Sequence, residues 1–168
     1  LLTEVSATEG QEMATFFVGP SLFALKATSV CEALPASAIA PVSASRQPYC
    51  VGTLALKAHG SISSYVWVFD LGQLLSGKAS AQTPQSQVIV LRHGEQSVGL
   101  LVSELHGVGL FAQQRIVKAP SLPGTAGKLI THLIKGHPGQ TLIQCLDVGQ
   151  LMSMLCRHPA LAMEALAA

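Results

Sequence analysis

Short apolar or alternating runs, most under eight residues, are separated along the chain by clusters of Gly, Pro, Ser and Gln. That pattern predicts strands, because a globular helix needs a longer run with 3.6-residue periodicity. Strands are expected at Thr15–Gly19, Leu22–Thr28, Val51–Lys57 and Tyr65–Phe69, followed by a short helix at Leu71–Gly77. Residues 35–48 carry Pro35, Pro41 and Pro48 and read as loop, and the Ser-rich run Gly60–Ser64 reads as a hairpin tip. The polar stretch Lys78–Gln87, with Pro84 inside it, marks a boundary between two halves. Beyond it, Val88–Arg92 and Ser97–Ser103 flank His93-Gly94-Glu95-Gln96, a hairpin pattern. A Pro/Gly loop at 119–127 leads to strands near Lys128–Lys135 and Thr141–Leu146, joined by the turn Gly136-His137-Pro138-Gly139. The Ala-, Leu- and Met-rich tail from Val148 to Ala168 predicts helix, split by Pro159. Residues 1–13 are polar and patternless and read as a linker. The chain opens at Leu1 rather than Met, which reads as a piece of a longer protein. Connections this short leave no room for crossover helices, so an antiparallel β architecture is expected.

The two halves echo each other. Phe69-Asp70-Leu71-Gly72-Gln73-Leu74-Leu75-Ser76 aligns with Leu146-Asp147-Val148-Gly149-Gln150-Leu151-Met152-Ser153, at an offset of 146 − 69 = 77. Phe23-Ala24-Leu25 and Ala27 align with Val98-Gly99-Leu100 and Val102, at an offset of 98 − 23 = 75. Two echoes at nearly one offset point to a duplicated small barrel. In each copy an Asp stands between strand and helix, where its carboxylate can cap the first-turn N–H groups.

Composition narrows the class. Charged residues are 11% of the 168, against roughly 25% in an ordinary domain. Apolar residues reach 49%, yet the unbroken runs are about five residues, far below the roughly 20 a spanning helix needs. Membrane insertion and a signal segment are therefore not expected. A net charge of +1 excludes counterion-driven nucleic-acid binding, and the low charge with high hydrophobicity excludes a disordered tail. Cys31, Cys50, Cys145 and Cys156 show no C-x-x-C spacing and read as core thiols of a cytoplasmic protein.

Catalytic signals are missing. No H-x-x-x-H pair and no Cys/His finger spacing occur among the six histidines, so no metal site is expected. There is no G-x-S-x-G elbow. The segment Pro123–Lys128 has the wrong glycine spacing for a phosphate loop, and Leu129 stands where Ser or Thr belongs. Glu32, Glu95 and Glu104 are scattered and form no acid/base pair by spacing. An enzyme is not expected, and no cofactor is implied. A protein that binds other proteins is. A ligand-binding β-barrel stays open as another class and predicts an enclosed apolar pocket.

Phe17-Val18-Gly19, Phe23-Ala24-Leu25 and Val30-Cys31-Glu32-Ala33-Leu34 resemble the opening of CheW-type chemotaxis coupling domains. The second half is similar again, with Val88-Ile89-Val90-Leu91, Gly94, Val98-Gly99-Leu100-Leu101-Val102, Leu105 and Val108, then Leu146-Asp147-Val148 and Leu151. The family's G-x-x-x-L-R-G-x-x-x-P-V-x-D-L element departs from its usual form here. It reads Gly52-Thr53-Leu54-Ala55-Leu56-Lys57-Ala58, an extension of about five residues through His59–Tyr65, then Trp67-Val68-Phe69-Asp70-Leu71. Lys57 replaces Arg, Ala58 replaces Gly, Trp67 replaces Pro, and Ser103 replaces an Asp. Lys keeps the charge but loses the planar fork of Arg.

The resemblance implies an all-β fold of two SH3-like five-stranded barrels with pseudo-twofold symmetry and a C-terminal helix. The domain would span 14–158, with barrels at about 14–77 and 86–150 and a helical tail at 148–168. It implies a non-enzymatic adaptor that couples a chemoreceptor tip to the regulatory domain of the histidine kinase CheA. The alternative is a CheW-like regulatory or dimerisation module of a larger sensor without kinase coupling, with a homodimer left open. Matched to the family's motifs, the protein-binding residues would be Val30, Glu32, Lys57, Trp67, Val98, Val102, Leu105 and Val108. For Val30, Leu105 and Val108, core packing is the competing reading. For Tyr65 and Trp67 it is a choice between an exposed anchor and burial in a barrel. Lys57 stands apart, because a charge on an apolar strand must reach solvent or a partner.

Overall fold

In a computed structural model the described residues are 10–42, 47, 49–136 and 141–156. The turn at 137–139, the helix break at Pro159, His158 and residues 1–9 lie outside them. The first half contributes β1 (Gly10–Val18), β2 (Ser21–Lys26), β3 (Val30–Pro35), β4 (Cys50–Ala58), β5 (Ser61–Asp70) and helix α1 (Leu71–Ser76). The second contributes β6 (Gln87–His93), β7 (Gln96–Val102), β8 (Glu104–Ala112), β9 (Ile116–Lys118), α2 (Gly124–Leu129), β10 (Ile130–Ile134), β11 (Ile143–Leu146) and α3 (Val148–Cys156).

The strands form two curled sheets, one of order β8-β1-β2-β11-β10-β9 and one of order β3-β6-β7-β5-β4. The first five positions of each list correspond through the internal echo. Ala24 of β2 pairs with Cys145 of β11, and Gly99 of β7 pairs with Val68 of β5. Those are the same two positions, shifted by 75 and 77 residues. The duplication is thus written into the register, and the fold is mostly β with pseudo-twofold symmetry.

Several expectations need correction. The sheets do not divide the chain at 14–77 and 86–150. The hairpin β1–β2 joins the strands of the second half, and β6–β7 joins those of the first. The pairing is not wholly antiparallel, since β2–β11 and β5–β7 run parallel. One sheet has six strands rather than five, because the short β9 adds to its edge. Residues 10–13 are not linker but the start of β1, paired with Gly109–Ala112 of β8. A short helix at Gly124–Leu129 takes up the end of the expected loop and the start of the strand expected near Lys128. Residues 61–64 are strand, and the hairpin tip is His59–Gly60, both at left-handed φ of 53° and 79°. A two-residue turn of that hand matches strand twist.

Three apolar clusters hold the fold together. Leu54, Val66, Val68, Val88, Val90 and Leu101 fill the inside of one sheet, and Met13, Leu22, Ala24, Ile134, Ile143 and Cys145 that of the other. Between them lies the largest cluster, in which Phe16, Phe23 and Leu25 meet Phe69, Ile89 and Leu100 under Leu151, Met152 and Leu155 of α3. Strands β2, β6 and β7 therefore bury both faces, which explains their unbroken apolar runs. Surface that faces another lobe carries no charge, so this shared core accounts for much of the charge-poor composition.

Candidate protein-docking edges

The exposed apolar residues concentrate on sheet edges. β8 is the outer strand of its sheet and pairs on one side only, with β1. Leu105, Val108 and Leu110 on it are 40%, 66% and 64% exposed. Glycines at 107 and 109 interrupt the strand, and its hold on β1 is reinforced locally. Thr15 Oγ1 donates to Gly107 O at 2.9 Å, and Phe17 meets His106 edge-to-face at 5.4 Å. Ser103 is part of that hold, because its Oγ accepts from Gly19 N at 2.8 Å and its N–H donates to Phe17 O. At the far end the Arg115 guanidinium lies over Phe111 and its Nε donates to Lys135 O at 2.8 Å. A neutral apolar edge strand invites pairing with another chain unless something covers it.

In the other sheet β3 occupies the position equivalent to β8, and Val30 starts it. Val30 is half-buried against the shared core, whereas Glu32 is exposed. The opposite edge is the β4–β5 hairpin. β5 pairs with β7 only through Val68–Asp70, so Ser61–Trp67 projects past the sheet with β4 as its single neighbour. Lys57 is exposed on this arm and paired in register with Ile62, itself 53% exposed. Tyr65 is 65% exposed, while Trp67 turns inward and packs against the shared core. The two aromatics thus divide between the alternatives.

Val98 and Val102 are corrected. They are 4% and 2% exposed in the shared core, so burial withholds both from a partner. Leu105 and Val108 resolve the other way, as surface residues. Sequence reasoning missed Leu110, whose signal was an apolar residue among glycines in a stretch not assigned as strand. It also missed Ile62, assigned to the tip.

The expectation of four core thiols needs correction, since Cys31 is exposed and Cys50 and Cys156 are only partly buried. Cys145 is buried, and burial pushes its thiol from the ordinary 9.0 up to about 11; burial also raises Cys156. A neutral buried thiol is neither a nucleophile nor a metal ligand. Among the described residues no group of three His, Cys, Asp or Glu could hold a metal ion, and no helix is long and apolar enough to cross a membrane. The raised Cys145 value has a consequence for stability. Between pH 9 and 11 the unfolded chain loses this proton while the folded one keeps it, so stability falls as pH rises. Thermal melts across that window should fall more steeply for the native chain than for Cys145→Val. Parallel slopes would show that Cys145 titrates freely.

The CheW-like domain family model matches residues 12–156. The chain belongs to this family. Among solved structures it is similar to the scaffolding protein TtCheW from Thermoanaerobacter tengcongensis, with a TM-score of 0.69 at 18% identity. That match covers 83% of this chain and 90% of the other. No curated protein matches the chain. The CheW-like fold of two SH3-like barrels is thereby established, and the two curled sheets with their swapped hairpins are its form here.

Proposed function

We propose that this CheW-like domain is a non-enzymatic adaptor with two docking edges, one for the regulatory domain of a CheA-type kinase and one for a chemoreceptor cytoplasmic tip. The observation that carries the reading is the placement of exposed apolar side chains on the outer strand β8 of one sheet and on the projecting β4–β5 arm of the other. Leu105, Val108 and Leu110 mark one, and Ile62 and Tyr65 beside Lys57 mark the other. Two edges on one rigid core can hold two partners at a set distance, which is what a coupling protein must do. Specific contacts of this kind cover about 800 Å² per partner. Membership of a family with a scaffolding protein as structural neighbour supports the same role.

Pull-down with the kinase regulatory domain and, separately, a receptor tip tests this; binding to neither removes the coupling role and favours a module acting within a larger sensor. In that assay Lys57→Glu should weaken binding to the partner held by the β4–β5 arm about tenfold, mainly by slowing association, with an unchanged melt. Unaltered affinity for both partners would take Lys57 out of the interface.

A further inference from the structure

We propose that a cavity at the junction of the two sheets is a binding site for a small organic anion with a compact apolar body. Its volume is about 590 Å³, within the range of small-molecule sites. Neither half of the chain could form it alone. Lys26 comes from the end of β2, His93 from the end of β6, Lys118 from β9 and His132 from β10, and the first turn of α3 closes one wall.

The electrostatics select the charge of the ligand. Asp147 is the single carboxylate on the wall, and its Oδ1 is engaged by Gln150 N at 2.8 Å. Among the described residues the side chain of neither Lys26 nor Lys118 has a hydrogen bond or ion pair. His132 uses Nδ1 in a 3.0 Å contact with Thr131 Oγ1, which leaves Nε2 open. Two lysines against one carboxylate face this concave space, so its balance is positive in a chain whose net charge is only +1, and the ring nitrogens of His93 and His132 add hydrogen-bonding capacity. An anion compensates that positive balance, and a neutral guest leaves it unanswered. The remaining wall selects the body of the ligand. Met13, Cys145 and Leu146 are buried apolar residues there, joined by the partly buried Ile116. Burial keeps the Cys145 thiol neutral, so it adds no negative charge to that of Asp147.

The site is independent of the docking edges, and the test reads it directly. The 15N-labelled protein is titrated with 2-naphthoate, with the uncharged 2-naphthamide and with inorganic phosphate. The naphthoate should shift the amides of Gln11, Ser29, Thr131 and Gly149, and the naphthamide should bind at least about tenfold more weakly. Weak phosphate binding at the same amides would confirm the anion subsite without the apolar contribution. The Lys26→Gln/Lys118→Gln double variant should lose about tenfold in naphthoate affinity, and the Lys128→Gln control nothing. Both lysines are exposed, and should the double variant fail to fold, the acid-against-amide comparison on the native chain decides alone. Equal binding of acid and amide, shifts confined to other surfaces, or no shift at millimolar ligand would each overturn the proposal. A hexaglutamate peptide that shifts these amides at lower concentration than naphthoate would also overturn it, by assigning the cavity to an acidic protein segment.

Discussion

Severing the chain between Ala81 and Gln82 and expressing either part alone should give no cooperative unfolding transition, whereas mixing the parts should restore one. Both residues are exposed, so the cut itself removes little. What is lost is sheet membership. Without the second half, β5 loses β7, and Leu54, Val66 and Val68 lose Val88, Val90 and Leu101 across the sheet interior. Without the first half, β11 loses β2 and β8 loses β1, leaving Ile134, Ile143 and Cys145 without Met13, Leu22 and Ala24. The shared core is halved in both cases. Each exposed Leu, Ile or Phe forfeits about 1.5–3 kcal/mol, so a handful exceeds the whole 5–15 kcal/mol of net stability of a domain. Far-UV circular dichroism during thermal melting, with the fluorescence of Trp67 for the first part, reads the result. A native-like cooperative melt in either isolated part would show that a barrel closes without the exchanged hairpin.

Asp70→Ala should cost about 3 kcal/mol, roughly three times the loss from Asp147→Ala. The two residues stand at equivalent points of the internal echo and both cap a helix, Asp70 from Gln73 N at 3.2 Å and Asp147 from Gln150 N at 2.8 Å. Their surroundings differ. Asp70 is 1% exposed and also accepts from Ser80 N at 2.7 Å and Ser80 Oγ at 2.6 Å, which ties residues 78–86 against the first half. Alanine there abandons three bonds and leaves partly buried donors without their partner. At Asp147 a single cap bond is lost and water can replace it. Chemical denaturation of the two variants measures the difference, and equal losses would mean that the Ser80 contacts contribute nothing. Ser80→Ala should fall between them.

Much of the central scaffold was legible because its signals are local. The Gly94-Glu95 turn joins β6 and β7 in register His93 to Gln96, as the hairpin pattern required. The helix after Phe69 begins where Asp70 can cap it and ends at Gly77, which takes φ of 81°. β3 and β8 were not legible. β8 carries Gly107 and Gly109, its Leu105, Val108 and Leu110 face solvent, and no alternation marks it as strand. It is a strand because β1 offers it an edge. The candidate docking residues divide on the same line. Lys57 announces itself, since a charge within an apolar strand has to point outward. Val98 and Val108 look alike in sequence, yet one is in the shared core and the other is exposed.

The sequence by itself determined the strand-rich class, the turns, the two caps, the duplicated plan and the resemblance to CheW-type domains. Each of these rests on residues close together in the chain or on a repeat that can be aligned. Only the tertiary structure decided that each sheet borrows its hairpin from the other half, that Asp70 and Asp147 differ, and which apolar strands are left exposed. The physical reason is that a strand's N–H and C=O groups can be satisfied by any free edge of suitable length. The choice among edges is made by the apolar area that closing the whole molecule buries, and no local stretch of sequence contains that area.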